Sequence, residues 1–180
     1  MSDRIRKSTL TKGALAIAAV LVLVVMNLAI AAPTYAQSPA PQTNRPDPRK
    51  DMRERQFKRE QTWFNGQTKV LADTGTIATK TQNYIDAQNA LGKDTSSLVA
   101  ALATFNSQVA TAQSSHDAAG ALIRAHAGFD ANGTVTDLTQ ASQTVIDTRK
   151  SLLDTRKTLR QAVVDLRNAI RAYRQANPSS

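Results

Sequence analysis

The chain has no cysteine, and this absence limits how the protein can be stabilised. Disulfide bonds and thiolate metal sites are excluded, so the fold depends on side-chain packing. Glutamate occurs only at positions 54 and 60, histidine only at 116 and 126, and aromatic residues make up 4% of the chain. The sequence also contains no nucleophile-elbow pattern and no phosphate-binding glycine loop. We therefore predict a protein that is not an enzyme and that binds no cofactor.

The two histidines do not have the spacing of a metal site. His116 and His126 are ten residues apart, which is about 15 Å along a helix, whereas two ligands on one helix are three or four residues apart. The segment FDANGTVTD (129–137) matches only a fragment of the EF-hand calcium loop, because its glycine and its closing ligand fall in the wrong places. We predict no metal site, and we interpret this segment as a connection that turns at Asn132 and Gly133.

Residues 1–36 have the pattern of an export signal. Basic residues within the first twelve positions precede a largely apolar stretch at 14–32, and the following Pro33-Thr34-Tyr35-Ala36 has small or compact residues at the positions that a signal peptidase reads. We predict a signal peptide cleaved after Ala36. The alternative is a retained N-terminal membrane anchor, because 19 residues approach the roughly 20 that cross a bilayer as a helix. In both cases the positive flank keeps the N-terminus inside, so we predict an exported protein that is periplasmic, secreted or extracytoplasmic.

Residues 37–49 carry four prolines among polar residues. Proline lacks a backbone N–H, and the stretch has no apolar period from which a core could form. We predict a disordered, proline-rich linker that joins the export segment to a folded part at 50–177.

The folded part has apolar residues at heptad spacing, which is typical of helices packed in a bundle. The spacing predicts helices at about 51–91, 95–127 and 137–176. Short connections between long helices place sequence neighbours antiparallel. The predicted fold is therefore all-α: an elongated, coiled-coil-like antiparallel three-helix bundle. On the first helix, the predicted core rows are Phe57, Phe64, Leu71, Ala78 and Ile85, beside Trp63, Val70, Ile77, Tyr84 and Leu91.

The third predicted helix contains the tetrapeptide Asp-Thr-Arg-Lys twice, at 147–150 and 154–157. In the heptad frame its arginines fall on the seam, its threonines form a row of small residues, and its lysines and aspartates lie outside. Polar layers at such positions fix helix register at a cost in stability. The alternative is that both arginines lie along the seam and extend outward to solvent. The predicted polar core layer consists of Gln108, His116, Arg149 and Arg156.

The formal net charge of the chain is +9. Residues 1–36 contain four basic residues and one acidic residue, so the remainder has 19 basic and 13 acidic residues and a net charge of +6. An exported basic surface suits anionic polymers or lipid headgroups, although basic residues at a helix C-terminus also suit the helix dipole. No nucleic-acid motif with interleaved aromatics is present, so we expect no specific nucleic-acid binding. The predicted basic surface consists of Arg160, Arg167, Arg171 and Arg174.

These patterns favour a structural spacer or interaction module of a bacterial-type cell envelope or exterior, with an unknown protein partner or self-association. One alternative is a periplasmic chaperone-like client binder, and another is an electrostatic binder of anionic polymers or lipid headgroups. Leu138-Thr139 resembles the start of the Leu-Thr-x-x-Gln motif of small all-helical periplasmic stress chaperones, with Ser142 where the motif has glutamine. This resemblance is one of class, and it implies the first alternative.

Overall fold

A computed structural model describes residues 47–178, and this part of the chain is all-helical. Its helices are α1 (Pro48–Asn89), α2 (Ser96–Ala125) and α3 (Leu138–Ala176). The predicted all-α class is confirmed, and the helix ends differ from the predicted ends by at most three residues. None of the three described helices is long and apolar enough to cross a membrane.

Capping explains why α1 begins earlier than predicted. The export segment predicted at 1–36 lies outside the described residues, as does most of the linker predicted at 37–49, but the last residues of that linker belong to the helix. A carboxylate oxygen of Asp47 accepts a hydrogen bond from Arg49 N at 2.9 Å. Pro48 at the first helical position has no N–H to leave unpaired. Together these two residues start the helix at Pro48.

Contacts between α2 and α3 join residues whose numbers rise along one helix and fall along the other. Midway along α3, Thr155 Oγ1 donates to the carbonyl oxygen of Ala112 at 3.5 Å. Farther along α3, Asp165 accepts a hydrogen bond from Gln108 Nε2 at 3.2 Å. The two helices therefore run antiparallel.

Contacts between α1 and α3 rise together along both helices. Gln67 Nε2 donates to the carbonyl oxygen of Leu152 at 2.8 Å, and the Tyr84 ring lies edge-on to Tyr173 with centroids 6.1 Å apart. α1 is therefore parallel to α3 and antiparallel to α2. The described residues form an up-down-up three-helix bundle.

The two ends of the bundle have different connections, and we name each half after its own. The turn half lies next to residues 90–95, which join α1 to α2, and the loop half lies next to residues 126–137, which join α2 to α3. The turn half holds the largest apolar cluster, which buries side chains from all three helices. Its members are Ile77, Ile85, Leu98, Leu102, Phe105, Ala162, Val163, Leu166, Ile170 and Tyr173.

The loop closes the other end of the bundle with a smaller apolar cluster. Phe129 stacks on Phe57 of α1, with ring centroids 4.3 Å apart and an interplanar angle of 13°. Val135 is buried beside this pair, and its N–H donates to Glu54 Oε1 at 2.9 Å. The predicted turn is present, since Gly133 has a φ of +80° and its N–H donates to the Asp130 carbonyl oxygen at 2.9 Å. The loop is thus fixed to α1 by stacking and by a hydrogen bond.

The buried face of α1 differs from the prediction in one row. Of the second predicted apolar row only Ile77 is fully buried, and Leu91 is 54% exposed. A polar row at heptad spacing occupies the core instead. Its threonines bond to carbonyl oxygens of their own helix, Thr74 to Leu71 at 2.6 Å and Thr81 to Ile77 at 2.9 Å, so their hydroxyls can be buried without losing a partner. The row consists of Glu60, Gln67, Thr74, Thr81 and Gln88.

Candidate functional site

His116 is the best-packed member of the predicted polar layer. It lies in the core of the loop half, and its imidazole stacks on Phe64 with centroids 4.1 Å apart and an interplanar angle of 11°. Its Nε2 atom is 3.2 Å from the Phe64 carbonyl oxygen and 3.2 Å from Thr68 Oγ1. Because a carbonyl oxygen can only accept, Nε2 is the donor in the contact with Phe64. His116 therefore joins α2 to α1 through a stack and a hydrogen bond.

Gln108 lies at a different height of the bundle from His116. The two residues are eight positions apart on α2, which corresponds to about 12 Å of helical rise. Gln108 Nε2 donates to Asp165 Oδ2 at 3.2 Å, and Asp165 Oδ1 accepts a second bond from Gln161 Nε2 at 2.7 Å. Gln108 thus belongs to a polar contact between α2 and α3, away from the histidine.

The arginines of the repeated tetrapeptide do not take the core positions. Arg149 is exposed and Arg156 is partly exposed. The threonines of the two copies are buried instead, since Thr148 and Thr155 have no exposed surface. The repeat therefore places its small residues against the neighbouring helices and its arginines toward the rim of the bundle.

Glu60 is a buried charged group that no pattern in the sequence indicates. Its side chain is 1% exposed, and its Oε1 atom is 4.0 Å from Arg59 Nε. Burial raises the pKa of Glu60 above its ordinary value of 4.5, and the nearby positive charges of Arg149 and Arg59 oppose that rise. The net direction shows that desolvation of the carboxylate outweighs the attraction of the two arginines.

Buried polar atoms without a hydrogen-bond partner concentrate in the loop half. Three of the five such side-chain atoms within residues 47–178 are Glu60 Oε2, Gln67 Oε1 and Thr148 Oγ1. No group of three or more metal-ligating side chains is present in the same part of the chain. The polar interior of the loop half therefore fixes helix contacts at some cost in stability.

A pocket of about 210 Å³ opens between α1, the end of α2 and the loop. It is lined by Phe57, Lys58, His126 and Asp130, among others. The Asp130 carboxylate accepts hydrogen bonds from two loop N–H groups at 2.8 and 2.9 Å. His126 has a left-handed φ of 37° and ends α2, with Nδ1 2.7 Å from the carbonyl oxygen of Arg124. The Asp130 carboxylate and the His126 ring thus both contact backbone atoms next to the pocket.

The outer face of α3 carries the most distinctive surface in the described part of the chain. Exposed residues follow one line along the helix, at alternating steps of four and three positions, over about 42 Å of rise. Six are basic, three are aliphatic and none is acidic. All four arginines of the predicted basic surface are exposed and lie on this line. We define the α3 outer face as Ile146, Lys150, Leu153, Lys157, Arg160, Val164, Arg167, Arg171 and Arg174.

Two of the three carboxylates beside this face, those of Asp147 and Asp165, are engaged with amides, and the third, that of Asp154, is exposed. Asp147 accepts from Gln143 Nε2 at 2.9 and 3.0 Å, and Asp165 accepts from Gln108 and Gln161. Within residues 47–178, no carboxylate lies at ion-pair distance from any of the six basic groups on the α3 outer face. Their positive charges are therefore directed to solvent along the whole line.

The sequence contained a signal for the α3 outer face but none for the buried carboxylate. The steps of four and three from residue 146 to residue 174 are visible in the sequence and mark one side of a helix. Glu60 follows no such signal, because a polar residue at a core position looks like any other polar residue of the helix. Its burial could be recognised only from the packing of α1 against its neighbours.

Comparisons of the chain with protein-family models, with curated proteins and with solved structures found no significant match.

Proposed function

We propose that this protein is an exported, non-enzymatic interaction module of a bacterial-type cell envelope or exterior, and that the α3 outer face is its binding surface. The observation that carries the proposal is the composition of that face. A solvated helix face ordinarily mixes charges of both signs, whereas this line carries six basic residues and no acidic one. Six positive side chains along about 42 Å of one helix repel one another. Binding of a partner of opposite charge would relieve this repulsion, so the composition of the face favours such a partner.

The rest of the chain fits the same proposal. We propose that residues 1–36 export the protein, that residues 37–49 form a tether, and that the elongated, coiled-coil-like bundle acts as a spacer. α1 alone contains 42 residues, so at 1.5 Å per residue it is about 63 Å long. A bundle of this length can hold a binding surface away from the point of attachment.

Export is tested by the N-terminal residue of the protein taken from cells that produce it. Gln37 as first residue would support a released protein, and an intact Met1 or Ser2 together with digestion by protease added to intact cells would support an anchored one. Protein that keeps its N-terminus and resists protease after the outer envelope has been permeabilised, and is digested only after the cytoplasmic membrane has been lysed, would contradict export.

The binding surface is tested by photo-crosslinking in the producing cells. A photoreactive amino acid is placed at Lys150 or Lys157 on the α3 outer face, and at Thr62 or Lys69 on the exposed side of α1 as a matched control. We expect adducts at the α3 positions to exceed those at the α1 positions several-fold. Equal yields at both sets of positions would contradict a binding surface on α3.

A chaperone-like client binder is the second candidate. The observation that favours it is the exposure of aliphatic side chains among the basic ones, since Ile146 is 53% and Leu153 is 48% exposed. Suppression of the aggregation of a denatured test protein, lost when both residues are replaced by serine, would favour this candidate. The absence of suppression at a several-fold excess of the protein would remove it.

A further inference from the structure

We infer that the α3 outer face docks on an anionic phospholipid surface, with the helix axis parallel to the plane of the bilayer. This inference rests on the proposed function and adds the chemistry of the partner. It follows from the combination of charge and aliphatic side chains on one exposed line.

The six basic side chains supply attraction to headgroup phosphates along the whole face. Lysine and arginine have long apolar stems, so their charged ends can reach phosphates while the stems lie against the helix or the lipid. Each basic residue near an anionic leaflet contributes roughly a fivefold change in binding. Since no carboxylate within residues 47–178 is at ion-pair distance from these groups, no internal ion pair has to break before they bind.

The three aliphatic residues distinguish a lipid surface from a soluble polyanion. Ile146, Leu153 and Val164 span 18 positions, which is about 27 Å of rise, and they are 53%, 48% and 38% exposed. A lipid interface offers phosphates to basic side chains and acyl chains to apolar ones, and both can be reached from one helix face when the long basic side chains extend to the headgroups. A linear polyanion offers nothing apolar for these residues to contact, and the face has no aromatic side chain on which a nucleic-acid base could stack.

The charge on the same face argues against a second copy of the chain as the occupant. Two α3 outer faces brought together would place six positive charges against six, in either relative direction, with no acidic residue to compensate. The face is also already helical and held by the bundle, since residues on the other side of α3, such as Leu152 and Leu166, are buried. Docking therefore orders no backbone.

The test compares variants of the full chain on two kinds of vesicle, one of neutral phosphatidylcholine and one that also contains phosphatidylglycerol. The readout is the ratio of the two binding constants, because any insertion of the apolar segment at 14–32 is common to all variants. The first variant is Lys157→Gln, Arg160→Gln and Arg167→Gln on the α3 outer face. The matched control removes the same charge from exposed positions of α1 through Arg55→Gln, Lys58→Gln and Lys69→Gln.

Removal of three basic residues, at roughly fivefold for each residue, should lower the ratio of the anionic to the neutral binding constant about 100-fold in the α3 variant. We expect the α1 control to lower this ratio less than about fivefold. A third variant, Ile146→Ser, Leu153→Ser and Val164→Ser, should weaken binding to the anionic vesicles about tenfold at raised salt, where charge attraction is screened. Unchanged far-ultraviolet circular dichroism and an unchanged unfolding midpoint confirm that each variant keeps its fold.

An equal loss in the α3 variant and the α1 control would overturn the inference, because net charge alone would then explain binding. Retention on heparin as strong as binding to vesicles, with no effect of the serine variant, would also overturn it in favour of a soluble polyanion. Crosslinks from the α3 outer face to a protein in cells, without preference for anionic vesicles, would overturn the lipid partner and leave the proposed function standing. Failure of both experiments would remove the α3 outer face as a binding surface.

Discussion

The two halves of the bundle bury different chemistry behind the same helical geometry. The turn half packs ten buried residues of its main cluster from all three helices, among them Phe105 and Leu166. At comparable positions the loop half buries Glu60, Gln67 and His116, with a smaller apolar cluster closing its end. The heptad spacing continues through both halves, so spacing alone does not decide what a core contains.

The two halves therefore contribute differently to the fold: the turn half supplies most of the stability, and the polar groups of the loop half fix the register of the helices. Burial of apolar surface is the main favourable term in folding, and the turn half has most of it. Buried polar groups restrict which residues can face each other, but each one that lacks a partner lowers the stability. We therefore expect local opening to begin in the loop half, and the turn half to be the last part to exchange its amide hydrogens.

The largest expected effect is a loss of packing in the turn half. Phe105→Ala removes a ring that is 1% exposed, and we expect the free energy of unfolding to fall by about 3–5 kcal/mol. Phe64→Ala, in the loop half, removes a half-buried ring and should cost less, although the stack on His116 is lost. Urea unfolding followed by circular dichroism measures both values. A cost for Phe64→Ala equal to that for Phe105→Ala would contradict the difference between the halves.

A second substitution tests how the loop closes the loop half. Gly128 has a φ of +84°, and a Cβ atom there would lie 2.1 Å from the backbone nitrogen of Ala141, so we expect Gly128→Ala to cost about 1–3 kcal/mol. Gly133 is a matched control, because its φ is +80° but a Cβ atom would meet nothing within 4 Å. Thermal unfolding should show a larger fall in the midpoint for Gly128→Ala. Equal falls would mean that φ alone, and not contact with α3, sets the cost.

The packing of α3 could be predicted from the sequence to a large extent. Leu152, Leu159 and Leu166 recur at heptad spacing, and all three are buried as the spacing predicts. The row of small residues that includes Thr148 and Thr155 was predicted beside them and is buried as well. Apolar periodicity finds such positions because burial of apolar surface is what drives the packing.

The polar core of the loop half could not be predicted in the same way. Gln67 is buried because its Nε2 atom reaches the Leu152 carbonyl oxygen on another helix, 85 positions away in the chain. Gln61, six residues earlier on the same helix, is only partly buried. Nothing in the local sequence distinguishes the two glutamines. The sequence predicts only part of the α3 outer face, because its charge pattern indicates the four arginines and does not indicate the aliphatic residues.

A third test removes the buried charge of the loop half through Glu60→Gln. Because burial raises the folded-state pKa of Glu60 above its ordinary 4.5, its ionised form disfavours the folded state. The stabilisation that the protonated Glu60 side chain gives the folded state is therefore fully present below pH 4.5. It is lost as the pH rises from 4.5 through the pKa of Glu60 in the folded state. We expect Glu60→Gln to be more stable than the natural chain by on the order of 1 kcal/mol at pH 7, and the difference to shrink in acid.

Unfolding curves of both proteins at several pH values measure this difference directly. The two proteins differ only at position 60, so the difference between their unfolding curves isolates Glu60 from the remaining acidic residues. A variant that is less stable at pH 7 would show that attraction to Arg149 and Arg59 outweighs desolvation, and the loop half would then gain stability from its buried charge.

The smallest expected effect compares two buried threonines, one in each half. Thr148 Oγ1 has no hydrogen-bond partner, whereas Thr81 Oγ1 donates to the Ile77 carbonyl oxygen at 2.9 Å. We expect Thr148→Val to raise the free energy of unfolding by about 1 kcal/mol, because a buried hydroxyl without a partner is replaced by a methyl group of the same shape. Thr81→Val loses a bond and should be neutral or cost up to about 1 kcal/mol. Opposite signs in urea unfolding would confirm that buried polar groups act differently in the two halves. A destabilised Thr148→Val would mean that its hydroxyl is satisfied in solution, and the two halves would then differ in chemistry but not in how well their polar groups are paired.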